Sequence, residues 1–383
     1  MEHRIKQLLT ALFSIVIFAS TSAELKPEVT KAAILPDKPG AHWFWVNDMV
    51  FNHMEAGKAF LIDGDSGQML GMLSVGYFFA SLILPSDYGT IYSAEIYHTR
   101  GTRGKREDIV AYYDTKSLSL LHEIDIPPKK SSSVSLVGHA NLTSDDRFFA
   151  VYNFTPAQSV SLVDIETRKF LAEVETPGCA QVYSAGPRAF NMVCGDGTML
   201  TLKLDDDGKV TATERSEKFY EPRVDTVDDK VARVGDTWYF FTMEGIVKPV
   251  DMAGGNPKFE AQWKLRGDGE AAWRPGGYQY ATINSAHSEL YVLVHEGGKW
   301  THKDPGKDVW VYDLKTNKRV RKIKLNHKAG SIEVSQDSEP VLLTAYAGSS
   351  DVHIYDARSG KYLRGLTEIG FSPILLQSVP MVK

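Results

Sequence analysis

Aspartate is the residue type in this chain whose placement most invites a chemical reading. Asp313 lies in DVWVYDLKTNKRVRKIKL (308–325) and Asp356 in DVHIYDARSGKYLRGL (351–366), which repeat an apolar alternation, an acid, a polar turn and a second alternation. A carboxylate so placed could be catalytic, as a general base is. It could equally accept backbone N–H bonds in the turn that follows it. The same pattern recurs around Asp63, Asp114, Asp164, Asp205 and Asp251, with spacings of 51, 50, 41, 46, 62 and 43 residues along the set of seven. Chemistry needed once is not built seven times, so the repeated acid reads as a turn former. Other catalytic signatures are scarce: there is no phosphate-binding glycine loop, no GxSxG, no HExxH and no CxxC. The histidines, including His98, His139, His287, His302 and His327, lack metal-ligand spacing.

The two cysteines, Cys179 and Cys194, flank AQVYSAGPRAFNMV, which reads as two strands around a turn at Gly186 and Pro187. A hairpin centred there sets the cysteines opposite each other, at a Cα separation of about 4.5 to 5.5 Å, within disulfide reach. A bridge is expected, the alternative being two buried thiols. Pro187 suits a tight two-residue turn poorly, so a wider loop with the same centre is expected.

These residues need elements to carry them. Each repeat is preceded by another alternating strand rich in aromatic and β-branched residues: HWFWVND, GTIYSAEIY, RFFAVYNF, RAFNMVC, TWYFFTM, ELYVLVH and PVLLTAY. With a further strand from the linking segment, each unit makes a four-stranded antiparallel sheet that must stack on its neighbours to cover its faces. Seven units averaging about 49 residues predict an all-β chain, a seven-bladed β-propeller, with a single domain over 24–383. Ahead of it, MEHRIKQLLTALFSIVIFASTSA carries basic residues, an apolar run from Leu8 to Phe18 and small residues. This reads as a cleaved secretory signal over 1–23, the run being shorter than the roughly 20 residues a bilayer needs. Cleavage removes Glu2, Arg4 and Lys6 and takes the formal net charge from -5 to -6, which disfavours nucleic acid as a partner.

Irregularities in the repeat are better candidates for function than its regularities. Three insertions, 49–58, 98–108 and 296–307, fall between the second and third strands of their blades and should emerge on one face. The first carries Met49, Phe51, His53 and Met54, apolar groups that are hard to explain as solvated surface. The second carries Arg100, Arg103, Lys105 and Arg106, which are either simply solvated or suited to a carboxylate-bearing partner. The third carries Trp300 and His302. WRPGG (273–277) is either a turn leading into a blade or a surface motif bearing on a second subunit.

Taken together, VNDMVFNHMEAGKAFLIDGDSGQMLGM, RGKREDIVAYYD, the Cys179 to Cys194 segment ending CGDG, WRPGGYQ, THKDPGKDVWVYDLKT and HIYDARSGKYLR resemble the heavy subunit of quinoprotein amine dehydrogenases. YHTRGTRGKRED and IDIPPKK resemble the aromatic amine branch more than the methylamine branch. The resemblance implies a periplasmic assembly of two heavy and two light chains. The light chain carries tryptophan tryptophylquinone and the catalytic aspartate, and electrons leave to a blue copper protein. This chain would hold no cofactor, no metal and no catalytic residue of its own. Phe51 matches the family's heavy-chain phenylalanine that shapes the substrate channel. Met49, His53, Arg103, Arg106, Trp300 and His302 are candidates for the subunit interface. A free-standing binding propeller of the cell envelope and a metal-dependent propeller hydrolase are the competing expectations.

Overall fold

In the computed structural model, residues 33–382 are described, and the predicted signal over 1–23 lies outside them. Alternating apolar strands pair into seven antiparallel sheets arranged as the blades of a propeller. From the centre outward, blade 1 contains Pro373–Ser378, Trp43–Asp48, Lys58–Asp63 and Met69–Ser74. The C-terminal strand thus supplies the innermost strand of the first blade and closes the ring. Blade 2 contains Thr90–Arg100, Arg103–Asp114 and Leu120–Ile126, and its inner position is filled by residues 77–83 through isolated bridges Tyr77 to Ile96 and Ile83 to Tyr92. Blade 3 contains Ala140–Leu142, Phe148–Asn153, Ser159–Asp164 and Lys169–Glu175, and blade 4 Cys179–Ser184, Ala189–Cys194, Met199–Leu204 and Val210–Arg215. Blade 5 contains Val227–Val234, Thr237–Thr242, Ile246–Asp251 and Lys258–Phe259; blade 6 contains Trp273–Pro275 with Ala281–Asn284, then Glu289–Glu296, Gly306–Asp313 and Lys318–Ala329. Blade 7 contains Ser331–Val334, Val341–Ala345, Val352–Asp356 and Tyr362–Leu366.

The core lies between blades, where each sheet presents one face to its neighbour. Trp238 of blade 5 stacks edge-on against Tyr183 of blade 4 at 5.0 Å and donates its indole N–H to Ser184 O at 2.9 Å. Trp45 of blade 1 likewise bonds the Tyr88 hydroxyl at 3.0 Å, ahead of blade 2. Burying each such aromatic stabilises the ring by roughly 2 to 3 kcal/mol, and the indole bond keeps its one polar atom satisfied.

All seven repeated aspartates do what a turn requires. In each, Oδ1 accepts the N–H two residues on: Asp65 for Asp63, Lys116 for Asp114, Glu166 for Asp164, Asp207 for Asp205, Ala253 for Asp251, Lys315 for Asp313 and Arg358 for Asp356. The cysteine hairpin is also as expected: Cys179 pairs directly with Cys194 across a four-residue connection, and the two form a disulfide. The 98–108 segment differs from expectation. It is a continuous two-stranded ribbon, with Arg100 paired to Arg103 across Gly101 and Thr102, so the basic residues lie on strands and at a tight tip rather than in a loop. The ribbon is rooted in the blade 2 sheet and anchored by Arg106 on Asp108, so its solvated tip lacks the apolar alternation that marks the other strands.

A candidate partner face and its aromatic mouth

Because blade strands are antiparallel, the connections between second and third strands open on the same face as the linkers between blades. Five aromatics are exposed among the described residues: Tyr97, Phe154, Phe170, Trp300 and Phe371. Four of them belong to this face, on the blade 2 ribbon, the blade 3 and blade 6 connections and the linker from blade 7 to blade 1. Phe170 lies on an outer edge strand.

At the centre of that face the propeller shaft is stopped by an apolar dish. Met49, Ile374 and Leu375 form its buried floor, and half-buried Phe51, Phe78, Val134, Val137 and Tyr278 surround them. Phe51 is placed by an acid that repeat counting passes over. Asp48, 1% exposed at the end of its strand, accepts Val50 N–H at 2.8 Å and Ser372 N–H at 2.9 Å, and also takes the Phe371 N–H. Ser372 Oγ in turn accepts the Phe51 N–H at 2.9 Å. The loop therefore turns sharply, with Val50 at φ 48°, and is tied to the last linker of the ring. Met49 lies under the dish, and its Sδ accepts Ser135 N–H at 3.2 Å. His53 points outward, 3.9 Å from Glu55.

The remaining predicted residues are dispersed around the face. Arg103 is exposed near the ribbon tip. Arg106 is engaged internally: it forks onto Asp108 at 2.6 and 2.7 Å and donates to Lys130 O at 2.8 Å. Trp300, at φ 72° and 64% exposed, crowns the blade 6 connection under the Lys299 ammonium at 5.1 Å. His302 is half-buried; burial and then the nearby Lys230 and Lys303 cations hold its imidazole below its ordinary pKa. WRPGG is the anchor of this connection. Gly277 donates its N–H to His302 O at 3.0 Å, and Arg274 Nε donates to Gly297 O at 3.0 Å. Gly277, at φ 129°, lies where a Cβ would strike the Gly330 carbonyl, so only glycine serves.

Close to His302, the first strand of blade 5 brings Asp228, Asp229 and Lys230 together, with Lys230 Nζ 2.9 Å from Asp228 Oδ1 and also on Asp229. Burial pushes Asp228 up to about 6, and the buried Tyr183 and Tyr280 hydroxyls are held well above their usual range. VDDK carries no periodic signal that would separate this buried network from a solvated charge run. Below the dish the shaft widens into a polar cavity of about 450 Å³ lined by residues such as Asn141, Arg233, Thr282, Glu333, Gln377 and Ser378. Among the described residues no cluster of three or more His, Cys, Asp or Glu side chains could hold a metal ion.

Residues 40–379 match the family of the methylamine dehydrogenase heavy chain. The chain belongs to that family. It is 30% identical over 364 residues to the methylamine dehydrogenase heavy chain of Methylophilus methylotrophus, covering 93% of this chain and 87% of the relative. It is 31% identical over 328 residues to that of Paracoccus versutus, covering 85% and 76%. Similar solved structures include a functionally unknown protein from Desulfotomaculum acetoxidans (TM-score 0.59, 12% identity, 88% of this chain and 98% of that one) and hydrazine synthase of Kuenenia stuttgartiensis (TM-score 0.55, 12% identity, 87% and 99%). At those identities the structural matches speak only for the fold.

Proposed function

We propose that this chain is the large subunit of an exported, periplasmic amine dehydrogenase that converts primary amines, aromatic ones by preference, to aldehydes and ammonia. On this reading its aromatic face holds a small light chain in an assembly of two heavy and two light chains. The light chain's tryptophan tryptophylquinone, when present, supplies the two-electron oxidation, and a blue copper protein takes the electrons. The heavy chain contributes no reacting group. It presents Phe51 beside the partner's cofactor, excludes water with the dish, and limits which amines fit. The observation that carries the reading is the gathering of four exposed aromatics and the Phe51 dish on one face of a heavy-chain-family propeller. Unpartnered apolar surface of this kind marks a binding face.

Copurification of this chain with a small chain showing quinone absorbance, and amine-dependent dye reduction by the pair, is the expected result. Isolation as a lone monomer with no amine-dependent dye reduction would overturn the reading. In the assembled enzyme Phe51→Ala should change kcat/KM ratios between bulky and small amines by about tenfold, the scale of one lost apolar contact, while assembly persists.

A further inference from the structure

The rim of the dish contains a second aromatic, Phe78, held in an unusual way. Its backbone φ is 43°, a left-handed conformation that a bulky residue adopts only under constraint, at a cost of about 1 to 3 kcal/mol. The constraint is visible on both sides. Before it, Gly76 N–H is bonded to Glu95 Oε2 at 2.8 Å and Tyr77 N–H to Ile96 O at 2.8 Å. After it, Phe79 O accepts from Ser135 Oγ at 2.7 Å. Phe78 O itself accepts from the ammonium of Lys130.

Lys130 is 0% exposed. Its Nζ donates to Phe78 O and, at 3.2 Å, to Ser131 O, and among the described residues no carboxylate forms an ion pair with it. Burial of a lysine head costs several kcal/mol unless its donors are used, and an apolar side chain of equal length would fill the space more cheaply. Its backbone is fixed as well: Lys130 N–H reaches Asp108 Oδ2 at 2.9 Å, and Arg106 takes Lys130 O at 2.8 Å. Burial lowers the Lys130 ammonium to about 7, with Asp108 opposing and Arg106 adding to the shift. The ribbon of blade 2 therefore holds Lys130, and Lys130 holds the Phe78 backbone. The Phe78 ring then meets Tyr77 edge-on at 4.5 Å and stands in the same apolar cluster as Phe51.

We propose that Lys130 is a positioning residue for Phe78, and that Phe78 with Phe51 forms the two-sided aperture that selects among primary amines. The inference rests on the amine dehydrogenase reading of this face. Phe51 comes from the first blade and Phe78 from the inner segment of the second, so the width of the aperture depends on how that segment is pinned. Lys130 fixes that width without touching substrate.

The test uses the assembled heavy and light chains, with benzylamine and methylamine as probes. Phe78→Ala should change the kcat/KM ratio of the two amines at least fivefold, chiefly through KM. Lys130→Met should move the ratio in the same direction. In the double variant Lys130→Met should add nothing to Phe78→Ala, since the lysine acts through the phenylalanine. Hydrogen exchange of the amides over 76–80 should be at least several-fold faster in Lys130→Met. An unchanged ratio in Phe78→Ala would overturn the proposal, even if Lys130→Met does not fold. So would a Lys130→Met effect that persists in the Phe78→Ala background, or unchanged exchange. A Phe51→Ala shift without a Phe78→Ala shift sinks this inference and leaves the amine dehydrogenase reading standing. A wild-type complex that oxidises neither amine removes both.

Discussion

Asp48 and Asp313 are both acids at strand ends, and only what they bond separates a loop anchor from a turn former. Asp313 is partly exposed and accepts two turn amides, from Lys315 at 2.7 Å and Thr316 at 3.3 Å. Asp313→Ala should cost about 1 kcal/mol in urea unfolding, the net worth of exposed turn bonds, and leave amine selectivity alone. Asp48 is buried and gathers N–H and O–H donors from Val50, Phe371 and Ser372. Asp48→Ala leaves those donors without an acceptor, so about 3 kcal/mol or more should be lost. It should also shift amine selectivity in the direction of Phe51→Ala, because the Phe51 N–H hangs on Ser372. Equal stability loss in the two variants would contradict this ranking. Sequence spacing distinguished the seven turn acids because they repeat. Asp48 and Lys130 occur once each, and the partners that define their roles, Phe371 and Phe78, lie 323 and 52 residues away, beyond the reach of any local pattern.

At the level of elements, the cysteine hairpin was legible and the blade 2 ribbon was not, for the same physical reason. A hairpin with one buried face writes its register into apolar alternation, and the midpoint between Cys179 and Cys194 then fixes which residues face each other. The outer half of the ribbon buries little: residues 99–105 are exposed, and nearer its root the anchoring is polar and aromatic, through Tyr97 on Glu95, His98 on Tyr77 and Arg106 on Asp108, rather than an apolar alternation. Its charges therefore read as a loop. The bridge closes a span of 15 residues, and on the chain-entropy view it removes about 3 kcal/mol worth of freedom from the unfolded chain. The double variant Cys179→Ala/Cys194→Ala should lose that amount, visible as a lower urea midpoint with little change in slope. Reductant should lower the wild-type midpoint similarly and leave the variant's midpoint where it was.

For the whole molecule, the number of blades followed from counting, while the way the ring closes required the structure. PILLQS at the C-terminal end has no repeat partner in sequence, yet it pairs with Trp43–Asp48 and locks the last blade to the first. Glu333 reinforces that closure from inside the shaft. Its Oε1 takes the Ser378 N–H at 3.2 Å and hydroxyl at 2.8 Å, and its Oε2 takes Gln279 Nε2 at 3.1 Å and Thr282 Oγ1 at 2.9 Å. One carboxyl thus joins blades 6, 7 and 1, with neutral donors only. Four donors favour the carboxylate, but burial outweighs them and pushes Glu333 up to about 7 from 4.5. The folded chain therefore holds a proton that the unfolded chain releases between about pH 4.5 and 7. The resulting stabilisation is full below about 4.5 and is lost as pH rises through about 7, with a span on the order of 3 kcal/mol. Glu333→Gln is neutral throughout and lacks this dependence, although its amide introduces a constant cost by facing donors with an N–H. Urea unfolding of both proteins at several pH values isolates the effect, because all other titrating groups are shared. The wild type should lose about 2 to 3 kcal/mol relative to the variant between pH 4.5 and 7.5. Parallel stability curves would show that the clasp at the ring closure stays ionised, and that its four donors outweigh its burial.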